Sequence, residues 1–281
     1  MSIRSGSSRL LDRRPPPSRP SLQWDGYSLK GGSRRTNEDR FQAAPWPRQA
    51  GSDGAFLVVA DGMGGQPAGE FASQLATSSM MLSLEHVDPR SKLRILESRL
   101  RRAVTEAHLE ILADGSNHRE REGMGTTLTA ALIHGAFMTV VHVGDSRCYR
   151  FRQGVLTPLT LDHTLERVMR ETGALLPGTV GSSPCKHSLW NYLGGGRDNF
   201  PDPFISTSRL QRGDCLLLTT DGITNVFPDA DLADVLSRGG DAKSVCRRLV
   251  GMARGRGSED DTTALLARVG VAPVPRDLRL A

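Results

Sequence analysis

No apolar run in the chain approaches the roughly 20 residues needed to cross a bilayer, so a membrane-spanning helix is not expected. Basic residues occur near the N-terminus, but no apolar stretch follows them, which argues against a secretory signal. Cysteine is scarce, with four in 281 residues. Cys148, Cys185, Cys215 and Cys246 lie far apart, with no Cys-x-x-Cys pair and no histidine at zinc spacing. That pattern excludes a disulfide framework and a structural zinc site. Cys148 and Cys215 sit in apolar runs and read as small core hydrophobes, so a reduced, cytoplasmic setting is expected. There is no Gly-x-x-x-x-Gly-Lys-Ser/Thr loop to cradle a nucleotide. Excess charge is also missing from the body of the chain. The net charge is +5, but Arg4, Arg9, Arg13, Arg14 and Arg19 against Asp12 put four of those charges in the first 20 residues. A nucleic-acid face is therefore not expected.

What is present suits a folded domain. A hydrophobic share of 38% with 24% charged residues provides for a sizeable core. Strand-like runs occur at 22–29, 39–43 and 55–60. Two helical stretches follow, one with Phe71, Leu75 and Leu82 at helical spacing. The other carries the stripe Leu93, Leu96, Leu100, Ala103, Ala107 and Ile111. Strands resume at 126–133, 137–143 and 148–152, with a short helix at 164–172 capped by Asp162 or Thr164. Residues 173–203 are rich in Gly, Pro, Ser and Asn and read as a flap over a site. Strands at 204–208 and 215–219, helices near 229–238 and 241–254, and a strand at 262–269 complete the order. This is not βαβα alternation, so the expected class is α+β. Two packed, mainly antiparallel sheets flanked by helices make four layers, α-β-β-α. The expected organisation is a disordered Pro/Arg/Ser-rich tail over 1–22, one domain over 23–270 and a C-terminal tail over 271–281.

Acidic residues stand at turn-like positions beside the strand-like runs: Glu38, Asp39, Asp61, Asp221 and Asp260, with Asp145 a sixth. Carboxylates near the interior need compensation. A hard divalent cation supplies it, because such ions prefer oxygen ligands and neutralise several carboxylates at once. Asp-Gly pairs in isolation are turns, and Met124-Gly125-Thr126-Thr127, Gly64 and Gly65 read as structural. So do His142 and His163.

Taken together, six pieces resemble the metal-dependent serine/threonine phosphatases of the protein phosphatase 2C (PPM) family in their bacterial form. They are Arg34-x-x-Asn37-Glu38-Asp39, Val59-Ala60-Asp61-Gly62-Met63-Gly64-Gly65, Met124-Gly125-Thr126-Thr127, Val143-Gly144-Asp145-Ser146-Arg147, Thr219-Thr220-Asp221-Gly222 and Asp260-Asp261-x-Thr263. The resemblance runs from about Trp24 to about Val269. It implies two Mn²⁺ or Mg²⁺ ions that activate a water to attack phosphoserine or phosphothreonine, with no phosphoenzyme. Asp61 would bridge the ions, Asp221 and Asp260 would complete the first, and Glu38 with the carbonyl of Gly62 would serve the second. Arg34 would clamp the substrate phosphate, and Asp39 would hold metal-bound water. Asp145 would join Asp221 at a third, weaker metal site. A monomer is implied, and its partners would be a serine/threonine kinase and that kinase's substrates.

Two departures stand out. The last motif ends Asp260-Asp261 where the family has Asp-Asn, which removes an amide donor and adds charge near the metals. Met63 stands where eukaryotic members carry a histidine proposed as general acid, which leaves that role to a metal-bound water. The rival readings are a non-catalytic module on the same fold and a phosphatase of anti-sigma-factor antagonists.

Overall fold

Residues 54–60 are buried without a break, so the strand they form must be covered on both faces. The fold provides two covers. The computed structural model describes residues 22–48, 54–63, 68–85, 87–174, 185, 187–196 and 198–270. In chain order the strands are β1 (Leu22–Leu29), β2 (Asp39–Trp46), β3 (Gly54–Asp61), β4 (Gly125–Thr126), β5 (Leu128–His134) and β6 (Phe137–Val143). They continue with β7 (Arg147–Arg152), β8 (Val155–Pro158), β9 (Leu193–Gly194), β10 (Phe204–Arg209), β11 (Cys215–Thr219) and β12 (Thr262–Val269). The helices are α1 (Gly69–Ser83), α2 (Leu93–Asn117), α3 (Leu165–Glu171), α4 (Asp221–Thr224), α5 (Asp229–Ser237) and α6 (Ala242–Gly255). One five-stranded sheet runs β1-β12-β11-β7-β8, the other β10-β6-β5-β3-β2, and β4 pairs β9 in a small third sheet. The ladders are antiparallel.

Side-chain alternation sorts the apolar residues into three layers. On β3, Ala55, Leu57 and Val59 meet Leu216, Leu218, Leu265 and Ala267 of the opposite sheet. Phe56, Val58 and Ala60 turn to the other side and pack on Ala72, Met80, Leu96 and Leu100 of α1 and α2. Leu217 and Leu266 face Leu232, Val235, Val245 and Leu249 of α5 and α6. This is the four-layer α+β arrangement expected from the element order. Cys148 and Cys246 lie inside it, where burial pushes both thiols up to about 12 and keeps them unreactive.

Several local expectations are corrected. Helix α1 does not bury the Phe71–Leu82 stripe: Phe71 is 39% and Leu82 61% exposed, and Leu75 is partly buried. Its inward face is Ala72, Ser73, Ala76, Thr77 and Met80, where small side chains admit close approach to the sheet. The run 126–133 is broken, because β4 leaves the large sheet to pair with β9. A further hairpin, β7–β8, follows the strand expected at 148–152 and turns at Gln153-Gly154: both take positive φ, 50° and 84°, as a two-residue hairpin turn requires. Asp221-Gly222 opens the short helix α4 rather than a simple turn. Thr164 caps α3, accepting from the backbone N–H of Arg167. Leu22, which the sequence places both at the end of the tail and at the start of the strand-like run 22–29, is the first residue of β1 and pairs with Val269. Residues 1–21 and 271–281, most of 175–186 in the flap, and Gly64 and Gly65 lie outside the described residues.

Candidate metal centre

Strand polarity brings the acidic residues together. Asp61 ends β3 and pairs in register with Asp39, which begins β2. Asp61 continues the row of Ala55, Leu57 and Val59, so its side lies between the sheets; a slip of one residue would turn it toward α1. From the opposite sheet, β11 ends just before Thr220-Asp221 and β12 begins just after Asp260-Asp261. Asp145 lies in the turn by which the chain passes from β6 in one sheet to β7 in the other. All these turns fall at one edge of the sandwich. A cavity of about 780 Å³ opens there, walled by Arg34, Asp61, Thr127, Asp145, Asp221 and Asp260 among others.

Glu38 and Asp39 sit outside that wall. Glu38 is reached through Arg34, whose Nη1 donates to Glu38 Oε2 at 3.0 Å while Nε and Nη2 donate to Asp260 Oδ1 at 3.0 and 2.7 Å. Asp39 is buried opposite Asp61. Its Oδ2 accepts from the hydroxyls of Thr220 (2.7 Å) and Thr263 (2.6 Å), and its Oδ1 is buried without a partner. Asp221 Oδ2 accepts from Asn225 Nδ2 at 3.0 Å and lies 3.9 Å from His187 Nδ1. Asp221 Oδ1 is likewise buried and unpartnered. Thr127 ties the floor together: its hydroxyl accepts from the backbone N–H of Asp61 and bonds Ser146. At Gly62 a side chain would collide with the Gly69 carbonyl at the start of α1, so close packing on the helix alone demands glycine there.

The electrostatics follow from crowding like charges in a dry place. Burial, then the neighbouring carboxylates, holds Asp61 well above the ordinary range. Burial and the Asp221 charge do the same to Asp145. Asp221 is raised by burial and by Asp260, and Glu38 by burial, with Arg34 opposing. Asp39 is pushed up to about 8 by burial, despite the two threonine hydroxyls.

Sequence reading missed Thr220 and Thr263, although both stand inside the quoted motifs. It also missed Asn225, which helical spacing from Asp221 could have found. Asp261 differs from its expected part. Its Oδ1 accepts from Gly31 N at 2.6 Å and its Oδ2 from Glu38 N at 2.7 Å. Both partners are donors, so no amide donor is wanted there, and the carboxylate pins the segment that carries Arg34 and Glu38. Replacing Asp261 by Asn turns an NH₂ toward one of those N–H groups. Urea denaturation should show a loss of about 1 kcal/mol, with weaker Mn²⁺ binding as Glu38 loosens. An unchanged midpoint would contradict this assignment. His142 and His163, read as structural from the sequence, are both engaged by protein groups. His142 bonds Thr129 and the Leu161 carbonyl, and the rings of His142, His163 and Trp190 lie tilted against one another in sequence, with centroids 4.7 and 4.9 Å apart.

Residues 32–261 match the family model described as protein phosphatase 2C. The chain belongs to that family. It is 33% identical over 248 residues to the serine/threonine protein phosphatase PstP of Mycobacterium tuberculosis, covering 88% of this chain and 45% of that protein. The chain thus spans about half the length of that relative. The serine/threonine phosphatase Stp of Listeria monocytogenes is 32% identical over 226 residues, covering 79% of this chain and 87% of its own. Among solved structures, the catalytic domain of PstP in complex with two manganese ions superposes with a TM-score of 0.73 at 30% identity, covering 90% of this chain and 100% of that one.

The protein phosphatase 2C family is metal-dependent, and this member's donors suit a hard cation. The set is all oxygen, it includes a buried Asp221 oxygen with no partner, and its raised acids repel one another until a cation intervenes. Among the described residues, no three acidic, histidine or cysteine side chains close on one point. Arg34 instead spans Glu38 and Asp260. Among the described residues, no helix is long and apolar enough to cross a membrane.

Proposed function

We propose that this chain is a metal-dependent phosphatase of phosphoserine and phosphothreonine proteins. The observation that carries the reading is the edge-of-sandwich cluster, where Asp61, Asp145, Asp221 and Asp260 wall one cavity with Arg34. The relatives' names and the manganese-bound neighbour support it. Asp61 would bridge two ions, Mn²⁺ or Mg²⁺, with Asp221 and Asp260 on the first and Glu38 and the Gly62 carbonyl on the second. Asp145 with Asp221 would hold a third, weaker ion. Bound there, such cations supply Lewis acidity toward phosphoryl oxygens and lower the pKa of water.

The chain's own groups do the rest. Were Glu38 and Asp260 to hold cations, the Arg34 fork they now engage would be free to pair two phosphoryl oxygens and orient the ester. Asp39 has Oδ2 held by two hydroxyls and Oδ1 without a partner, and burial pushes its pKa up to about 8. It can hold or release a proton beside Asp61. The partners are phosphoproteins, a serine/threonine kinase and its substrates among them, met by a monomer in the cytoplasm. The test is phosphate release from a phosphothreonine peptide and from p-nitrophenyl phosphate, with Mn²⁺, with Mg²⁺ and with EDTA. Metal-dependent turnover abolished by EDTA is expected. No turnover by folded protein with either metal would overturn the reading.

A further inference from the structure

A second cavity, about 210 Å³ in volume, adjoins the metal centre and shares Asp145, His187, Asp221 and Asn225 with it. Its far wall carries Arg147, Arg167 and Arg170. The three arginines are not equivalent. Arg147 is committed: Nε and Nη2 donate to the two carboxylate oxygens of Asp162 at 2.7 and 2.6 Å, and Nη1 to the Tyr149 hydroxyl. Arg167 pairs Glu171, whose side chain is 59% exposed, an ion pair that a better ligand displaces at little cost. Arg170 lies one helical turn on from Arg167 and is exposed. Its backbone carbonyl accepts from Thr172 and Gly173, but among the described residues its guanidinium has neither a hydrogen-bond nor an ion-pair partner.

The helix that presents these side chains is held firmly. Leu165 N donates to the Ser188 carbonyl at 2.8 Å and Trp190 N to the His163 carbonyl at 3.0 Å. Thr224 adds a further polar group to the wall. The acidic groups of the pocket have other work. Asp162 is neutralised by Arg147, Glu166 is buried and already engaged, and Asp145 and Asp221 also face the metal centre.

We propose that Arg167 and Arg170 form a subsite for an anionic group on the substrate, close in sequence to the phosphorylated residue. The volume suits one carboxylate or one phosphate, and fork-shaped guanidinium groups suit either. The inference rests on the phosphatase reading of the adjoining cavity. It makes this chain selective for sites flanked by acidic residues or by a second phosphorylated residue.

The experiment uses the full chain with Mn²⁺ and phosphothreonine peptides that differ only beside the phosphothreonine: alanine, glutamate, lysine or a second phosphothreonine, on either side. Values of kcat/KM are read as ratios to the alanine peptide, so a general loss of activity in a variant cancels. The wild-type chain should favour an anionic neighbour by about five- to tenfold. Preference for glutamate, for the second phosphate or for both identifies the source of the anion. Arg167→Gln with Arg170→Ala should bring the ratio to about one, and Arg170→Glu should invert it toward lysine. A wild-type chain indifferent to its neighbours, or a preference that survives the double substitution, overturns the proposal. Anisotropy of the same labelled peptides under Mn²⁺ reads the preference as affinity. Failure of turnover on every substrate would therefore strike the phosphatase reading while leaving this subsite tested.

Discussion

In the Asp221→Asn protein, Mn²⁺-dependent phosphate release should fall by about a thousandfold, while the metal-free protein becomes harder to unfold at pH 8. Both effects come from one carboxylate. Asp221 follows β11, faces the cavity with Asp61 and Asp260, and keeps Oδ1 buried without a partner. An amide there would remove the negative oxygen that a hard cation wants at the proposed metal centre, and with it part of the charge that would hold the ion. Without cations the same change relieves repulsion, because Asp221 is held above the ordinary carboxylate range by burial and by Asp260. It also raises Asp39, Asp61 and Asp145 in turn. Activity and metal-free stability are thus opposed at this position. Phosphate release, Mn²⁺ titration calorimetry and thermal melts in EDTA measure the three quantities. Undiminished turnover would remove Asp221 from the metal set, and a lower melting temperature in EDTA would contradict the repulsion.

The second large effect is a dependence on pH whose sign can be worked out. A carboxyl raised in the folded protein stays protonated there at a pH where the unfolded chain has already lost its proton. Its contribution to stability is complete below about pH 4, the ordinary carboxylate value, and is lost as pH rises through the folded value. For Asp39 that loss extends to about 8, with Asp61, Asp145, Asp221 and Glu38 shifted the same way. The unfolded chain binds fewer protons over this range, so metal-free stability falls with pH. Buried histidines oppose the trend on the acid side. Burial pushes His142 down to about 3 and lowers His163, so each costs stability as pH drops below about 6.5. The clear window is therefore about pH 6.5 to 8.

Across that window melts in EDTA should move downward. Melts in Mn²⁺ should move upward relative to them, because cations compete with the protons held by the same oxygens. The Mn²⁺-induced increment in melting temperature should widen with each step in pH, and metal binding should release protons into the buffer. A constant increment between pH 6.5 and 8 would mean that the site's carboxylates are ionised before metal arrives.

Much of this chain could be read without its structure, and the readable part is the locally periodic part. Helix α2 was legible from Leu96, Leu100, Ala103, Ala107 and Ile111, all buried, because a helix writes its inward face at a spacing of 3.6 residues. Strand β3 was legible as an unbroken apolar run, and the acidic positions were legible because the motifs carry them together. Helix α1 shows the limit. Two of its large apolar side chains, Phe71 and Leu82, are exposed, while Ala72, Ala76 and Met80 are buried in the core. Periodicity locates a helix but does not weigh close approach against apolar size.

What tertiary structure decided lies at long range. The hydroxyls that hold Asp39 are 181 and 224 residues away in sequence, and Asp261 reaches 223 residues back to Glu38. Arg34 spans Glu38, four residues on, and Asp260, 226 residues on. The subsite proposed at α3 depends on two cavities sharing a wall. The amino-acid sequence by itself determined which residues were acidic, which faces were apolar and which elements would form, since those follow from spacing along one chain. Which acids share a cavity, which are pinned to backbone amides and which keep a bare oxygen depended on two sheets ending their strands at the same edge. That edge exists only once the sheets have packed.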